Sequence, residues 1–260
     1  ANTRNSRTVT WLVTDANSDR VGAQISAGVT STINIAAVTD ATVMVAGANR
    51  AYTEGVSATA ISSGLTLSDV DDTAIASGAT VSITAGLTSG DVLSIASGSL
   101  LGGATASYNS GTGVLTFTGS TTVSNYQSML RAVSFSSTSE DPTSQSTTRT
   151  VTYSVTDANA SAASNSAQTT TATSTVTITA VNDTPVGTAG GSLAYTENGA
   201  ATAIDTTITL IDVDDTQIVG ATVTITSALT GDVLGFTGQN DITGIYDAST
   251  GVLTLTGTAT

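Results

Sequence analysis

Asp69-Val70-Asp71-Asp72-Thr73 recurs as Asp212-Val213-Asp214-Asp215-Thr216, 143 residues later, in a 260-residue chain of which only 10% is charged. Chance does not repeat a pentapeptide with three carboxylates in so uncharged a sequence, and its neighbours recur with it. Ala51-Tyr52-Thr53-Glu54 returns as Ala194-Tyr195-Thr196-Glu197 at the same offset of 143, and residues 9–17 (VTWLVTDAN) return as residues 151–159 (VTYSVTDAN) at 142. Gly90-Asp91-Val92-Leu93 recurs at residues 231–234, and Thr112-Gly113-Val114-Leu115-Thr116 at residues 250–254, with offsets of 141 and 138. The drift places small deletions in loops, where they are tolerated. A period this long means one domain per repeat, in the manner of beads, rather than a thin solenoid.

Residue 1 aligns with about residue 143 and Thr260 with about Thr122. The expected organisation is therefore the C-terminal part of a preceding repeat (1–39), a complete repeat (40–181) and the N-terminal part of a following one (182–260). With no initiator Met, signal peptide or capping unit, the chain is expected to be a window of a longer protein. In a second arrangement, the N-terminal strands of one molecule complete the open C-terminal half-domain of the next and build a head-to-tail filament.

The chain has no Cys, His or Lys; its six basic residues are all Arg, against 20 acidic ones, for a net charge of -14. That charge argues against nucleic acid and anionic membranes as partners. Disulfides, thiolate metal sites and Lys-Asn crosslinks are ruled out, so rigidity needs another source. No apolar run approaches the ~20 residues that cross a bilayer. The expectation is a soluble, exported, β-rich chain, extracellular or on the cell surface, without membrane insertion.

Period-two alternation marks half-buried strands at 7–13 (RTVTWLV), 31–38, 42–46, 64–67, 79–84 (ATVSIT), 91–95, 104–108, 113–118 (GVLTFT), 131–136, 149–155 (RTVTYSV) and 174–180. Gly, Ser, Asn and Asp clusters separate them, and residues 124–131 (SNYQSMLR) carry helix formers behind a Ser or Asn cap. Many short strands joined by turns predict an all-β fold, a β-sandwich whose inner faces come from the Thr/Val/Ile alternation. Trp11 and Tyr153, at the same repeat position, are expected in the core, as are Tyr108, Tyr246, Phe117 and Leu255. Asp91 and Asp232 are expected in turns. Arg131 and Arg149 either pair with an acid or lie on the surface.

Val181-Asn182-Asp183-Thr184-Pro185-Val186, the preceding TVTITA, the following YTEN, the DVDDT box, GDVL, YDASTGVLTLTG, YQSMLRAVSF and RTVTYSVTDAN run in one order along the whole chain. This set resembles the cadherin-like tandem repeats of giant bacterial surface proteins and adhesins. The resemblance implies extracellular, calcium-binding, Ig-like sandwiches strung in arrays; it names no ligand.

The acidic loops point to calcium on their own chemistry, since the ion takes ~6–8 oxygens, mostly carboxylate and carbonyl, from irregular loops. In an extended segment Asp212 and Asp214 point to one side while Val213 anchors the other. With no Lys in the chain and no Arg nearby, a cation is the obvious neutraliser. The expected site at the second joint comprises Asn182, Asp183, Asp212, Asp214 and Asp215, with Glu197 after the first strand. At the first joint it comprises Asp40, Asp69, Asp71 and Asp72. Glu54, Asp141 and Asp157 are further candidates, and Asp15 a possible donor. The first joint has Thr39 for Asn182 and Thr42 for Pro185, which makes it the weaker or more flexible site. Solvated loops or Asx turns are the alternative for every one of these acids.

Without His, Lys or Cys the common general bases and nucleophiles are missing, and the dense carboxylates recur in each repeat, so no enzyme is expected. The expected function is a structural or adhesive segment of a long bacterial cell-surface or filament-forming protein, rigidified by calcium at its joints. Its partners would be neighbouring repeats, through head-to-tail or lateral assembly. The alternative is an adhesin module that binds a cell-surface glycan or protein through domain-end loops; the loop that diverges between copies, 97–103 against 238–243, holds no aromatic residue.

Overall fold

The structure, a computed structural model, describes residues 6–36, 38–159 and 166–259. Residues 1–5, 37, 160–165 and 260 of the segments expected above lie outside the described residues. The chain divides into two compact units, 1–180 and 181–260. Unit 1 carries β1 (Ser6–Trp11), β2 (Val29–Asn34), β3 (Val43–Val45), β4 (Arg50–Thr53), β5 (Thr59–Ala60), β6 (Thr66–Ser68), β7 (Ala74–Ile75), β8 (Ala79–Ala85), β9 (Asp91–Ser94), β10 (Thr105–Asn109), β11 (Val114–Thr118), β12 (Thr121–Thr122), helix α1 (Val123–Arg131), β13 (Ser134–Ser137), β14 (Thr148–Thr156) and β15 (Thr169–Thr179). Unit 2 carries β16 (Val186–Thr188), β17 (Thr209–Ile211), β18 (Ile218–Thr224), β19 (Thr243–Asp247) and β20 (Val252–Ala259).

Unit 1 is an all-β sandwich. Its larger sheet runs β10-β11-β8-β14-β15-β4, antiparallel throughout except for the parallel pair β15–β4. The smaller sheet is β5-β13-β9. Alternation in β8 and β14 buries Val81, Ile83, Val151, Tyr153 and Val155 on one face, and Leu93 and Phe135 meet them from the smaller sheet in one core. The Tyr52 ring of β4 stands edge-on to Phe135, with centroids 5.0 Å apart. Helix α1 closes one end through buried Tyr126, Met129 and Leu130; its cap is Thr122, whose hydroxyl accepts the Asn125 N–H at 3.1 Å, rather than a Ser or Asn.

The turn before β9 fixes the two sheets to one another. Fully buried Asp91 accepts Arg149 Nε at 2.5 Å and the Thr88 N–H at 2.8 Å, while Arg149 also donates to the carbonyls of Ser146 (2.7 Å) and Pro142 (2.6 Å). A buried charge pair persists only when its remaining donors and acceptors are met in this way. Among the described residues Arg131 pairs with no acid; its Nε donates to the Leu65 carbonyl at 2.5 Å.

The hairpin β1–β2 pairs with no other strand among the described residues, and Trp11 is exposed on it. This corrects the expected core placement: Tyr153 is buried because β14 lies between β8 and β15, and β1 has β2 alone. In unit 2, β16 pairs with β17, and β18-β20-β19 form a sheet in the register of β8-β11-β10.

Candidate metal centres

Strand β6 ends at Ser68, and the chain turns at once. Asp69 Oδ1 accepts the N–H groups of Asp71 (3.1 Å) and Asp72 (2.7 Å), an Asx turn that folds the two following carboxylates back toward the first. Carboxylate oxygens of Asp69, Asp71 and Asp72 come within 4.8 Å of one another. The Asp71 carboxylate also accepts the Asp40 N–H at 3.3 and 3.4 Å, which ties the linker to the turn. Asp69 Oδ2 is buried and has no hydrogen-bond partner among the described residues. Loss of solvent holds the Asp69 carboxyl above its ordinary range, with Asp71 adding to the effect, although the N–H groups of Asp72 and Asp71 pull it down.

Unit 2 repeats this construction bond for bond. Asp212 Oδ1 accepts from the N–H groups of Asp214 (3.3 Å) and Asp215 (3.1 Å), Asp214 accepts the Asp183 N–H at 3.1 Å, and the three carboxylates again lie within 4.8 Å. The Asp214 carboxyl and the Asp215 N–H bond to Asp212 and hold it below the usual carboxylate range. At Asp214 the Asp183 N–H pulls downward, but the hydrogen bond with Asp212, desolvation and repulsion prevail and the carboxyl is raised. Asp214 Oδ1 and Asp183 Oδ2 are buried without a partner among the described residues.

The turn, and not an extended strand, brings the acids together. Val70 and Val213 are exposed rather than anchored, because the Asx geometry turns each carboxylate by rotation of the backbone. Asn182 and Glu197 are exposed and outside the Asp212 cluster; Asn182 Nδ2 donates to the Asp183 carbonyl at 2.9 Å. Glu54 is half-buried and outside the Asp69 cluster, with a carboxylate oxygen within 4.8 Å of one on Glu140. Glu140 was not anticipated, although the acidic pair Glu140-Asp141 ahead of Pro142 was there to be read. Asp15 and Asp157 lock hairpin loops: Asp15 Oδ1 accepts from Asn17 (3.0 Å) and Gln24 (3.1 Å), and Asp157 Oδ1 from Asn159 (3.3 Å) and Gln168 (3.0 Å).

The donor set suits a hard divalent cation. Carboxylate oxygens converge in a loop, with a buried acceptor left over in each copy. Residues 181–260 contain nine acidic side chains and no basic one, so nothing within unit 2 can neutralise Asp212, Asp214 and Asp215.

No protein-family model and no curated protein matches the sequence. Among solved structures, the chain is similar to the extracellular domain of protocadherin gamma B4, with a TM-score of 0.32 and 12% identity, over 98% of this chain and 35% of that one. No helix among the described residues is long and apolar enough to cross a membrane.

Proposed function

We propose that this chain is a non-enzymatic structural or adhesive repeat segment of a long bacterial cell-surface or filament-forming protein, working outside the cell and stiffened by calcium beside its repeat joints. The observation that carries the proposal is the duplicated carboxylate turn, with Asp69 Oδ2 in one copy and Asp214 Oδ1 in the other buried and lacking a partner. Asp69, Asp71 and Asp72 would hold one ion, and Asp212, Asp214 and Asp215 the other. Bound calcium supplies two positive charges that cancel the repulsion within each turn. The protein's own part is to aim the carboxylates by the Asx turn and to fasten the linker to it through the N–H groups of Asp40 and Asp183. Neighbouring repeats are the proposed partners, with a cell-surface glycan or protein at a domain-end loop as the second class.

Isothermal titration with calcium tests this. The wild-type chain is expected to give saturable heat, and the double variant Asp69→Asn with Asp212→Asn to lose it while keeping its fold, since the amide oxygen still accepts the turn's N–H groups. A wild-type chain that gives no heat with millimolar calcium would sink the proposal.

A further inference from the structure

The turn after Ala51-Tyr52-Thr53 recurs after Ala194-Tyr195-Thr196 with the same bonds and a different chemistry. In unit 1 the Val56 N–H donates to the Thr53 carbonyl at 3.3 Å, Gly55 has a φ of 72°, and the Tyr52 hydroxyl donates to the Val56 carbonyl at 3.2 Å. In unit 2 the Gly199 N–H donates to the Thr196 carbonyl at 3.0 Å, Asn198 has a φ of 59°, and the Tyr195 hydroxyl donates to the Gly199 carbonyl at 2.7 Å. Glycine and asparagine both tolerate this left-handed conformation. With Asn198 in the place of Gly55 and Gly199 in that of Val56, unit 2 carries the one Asn-Gly dipeptide of the 260-residue chain.

A glycine after asparagine puts no side chain in the way when its amide nitrogen swings toward the asparagine carboxamide. Asn198 is exposed, and among the described residues its carboxamide has no hydrogen-bond partner. Other asparagines are tied down. Asn17 Oδ1 accepts the Gly22 N–H (2.6 Å), Asn49 Oδ1 that of Thr175 (3.1 Å) and Asn109 Oδ1 that of Gly111 (3.0 Å), and Asn125 Nδ2 donates to Thr121 Oγ1 (2.7 Å). The turn is exposed in the complete repeat as well, at Gly55 and Val56. What restrains Asn198 is the turn itself. Thr196 holds the Gly199 N–H and Tyr195 holds the Gly199 carbonyl, so the nitrogen is released only when the turn opens.

We infer that Asn198 is a site of spontaneous deamidation, gated by opening of the turn that Tyr195 clamps. The Gly199 nitrogen gives up its proton and bonds to Asn198 Cγ, the Cγ–Nδ2 bond breaks, and ammonia leaves. Water then opens the cyclic imide at either carbonyl, which leaves an aspartate or an isoaspartate at this position. Both products add a negative charge next to Glu197 in a unit that has no basic side chain. Isoaspartate also lengthens the main chain by one methylene inside the span that the Thr196–Gly199 bond closes, and so loosens the turn. Unit 1, with Gly55 in this place, has no carboxamide to lose, so the change marks one copy and spares the other. This inference is independent of calcium.

The test is incubation of the wild-type chain in mildly alkaline buffer with chelator, followed by peptide mapping in a mass spectrometer and enzymatic methylation of the digests to count isoaspartate. Conversion is expected first in the peptide that holds Asn198, and more slowly than in the same chain kept unfolded in urea. Asn198→Gly, which copies unit 1, should lose that product and keep the far-UV circular dichroism of the wild type. Tyr195→Phe should speed conversion in the folded chain roughly two- to tenfold, the increase in opening that loss of one hydrogen bond allows, and leave the rate in urea unchanged. A folded chain that keeps Asn198 intact while the unfolded chain converts overturns the inference. So does a folded rate that equals the rate in urea, or one that Tyr195→Phe leaves unchanged, since either removes the gate.

Discussion

Asp91 and Asp232 sit in one turn type, each after a glycine with positive φ, 95° at Gly90 and 105° at Gly231, where a side chain would strain the backbone. Asp91 is buried against Arg149, while Asp232 is exposed. Asp91→Ala should therefore destabilise unit 1 by about 3–5 kcal/mol, because it strands a buried guanidinium. Asp232→Ala in dilute chain should cost about 0.5–1.5 kcal/mol, the value of one hydrogen bond. Urea unfolding of the two variants measures the contrast. The sequence placed both aspartates in turns and left Arg149 either paired with an acid or on the surface; it could not name Asp91 as the partner, because the two are 58 residues apart and obey no local period. Asp205 is a second turn lock: it accepts from the N–H groups of Gly190, Gly191 and Thr207 and from the Thr207 hydroxyl. The Thr207 hydroxyl, first among these donors, holds its carboxyl well below the ordinary range. A depressed carboxyl lends its stability above the unfolded value of 3.8 and loses it as pH falls below that. Protection of the Gly190 and Gly191 amides, taken relative to their intrinsic exchange rates at each pH, should accordingly fall as pH drops below about 3.8 and stay constant between pH 5 and 8. Protection that is unchanged on acidification would remove Asp205 from that role.

At the scale of elements, alternation located every strand of the larger sheet except β4, whose four residues, RAYT, carry no clear alternation. The two-residue strands β5, β7 and β12 are too short to show a period. Pairing was not legible. The parallel contact of β4 with β15 joins residues 126 positions apart, from Arg50 to Val176, and only the closed sandwich defines it. The acidic clusters were legible as residue sets, but the assumption of an extended strand gave the wrong orientation to Val213, which is exposed, as Val70 is in the other copy. Helix α1 was expected at nearly its true bounds with a different cap. Thr122→Ala removes the acceptor for the Asn125 N–H and should cost about 1 kcal/mol in thermal or denaturant unfolding, whereas Ser124→Ala should cost less.

For the whole molecule, repetition is the informative feature. The 143-residue spacing pairs each bond of one acidic turn with a bond in the other, so any ligand chemistry assigned to Asp69, Asp71 and Asp72 applies again to Asp212, Asp214 and Asp215. A ligand that binds only the folded state at 100 times its Kd adds about 2.7 kcal/mol per site. For the larger unit that amounts to roughly 5–10 °C in the unfolding midpoint, and for the smaller one roughly twice as much. Scanning calorimetry of the wild-type chain in millimolar calcium and in chelator is the most direct test. The midpoint should rise by several degrees with calcium, and the rise should vanish in the variant carrying Asp69→Asn and Asp212→Asn. Superimposable traces with and without calcium would contradict the account and leave both acidic turns as solvated loops.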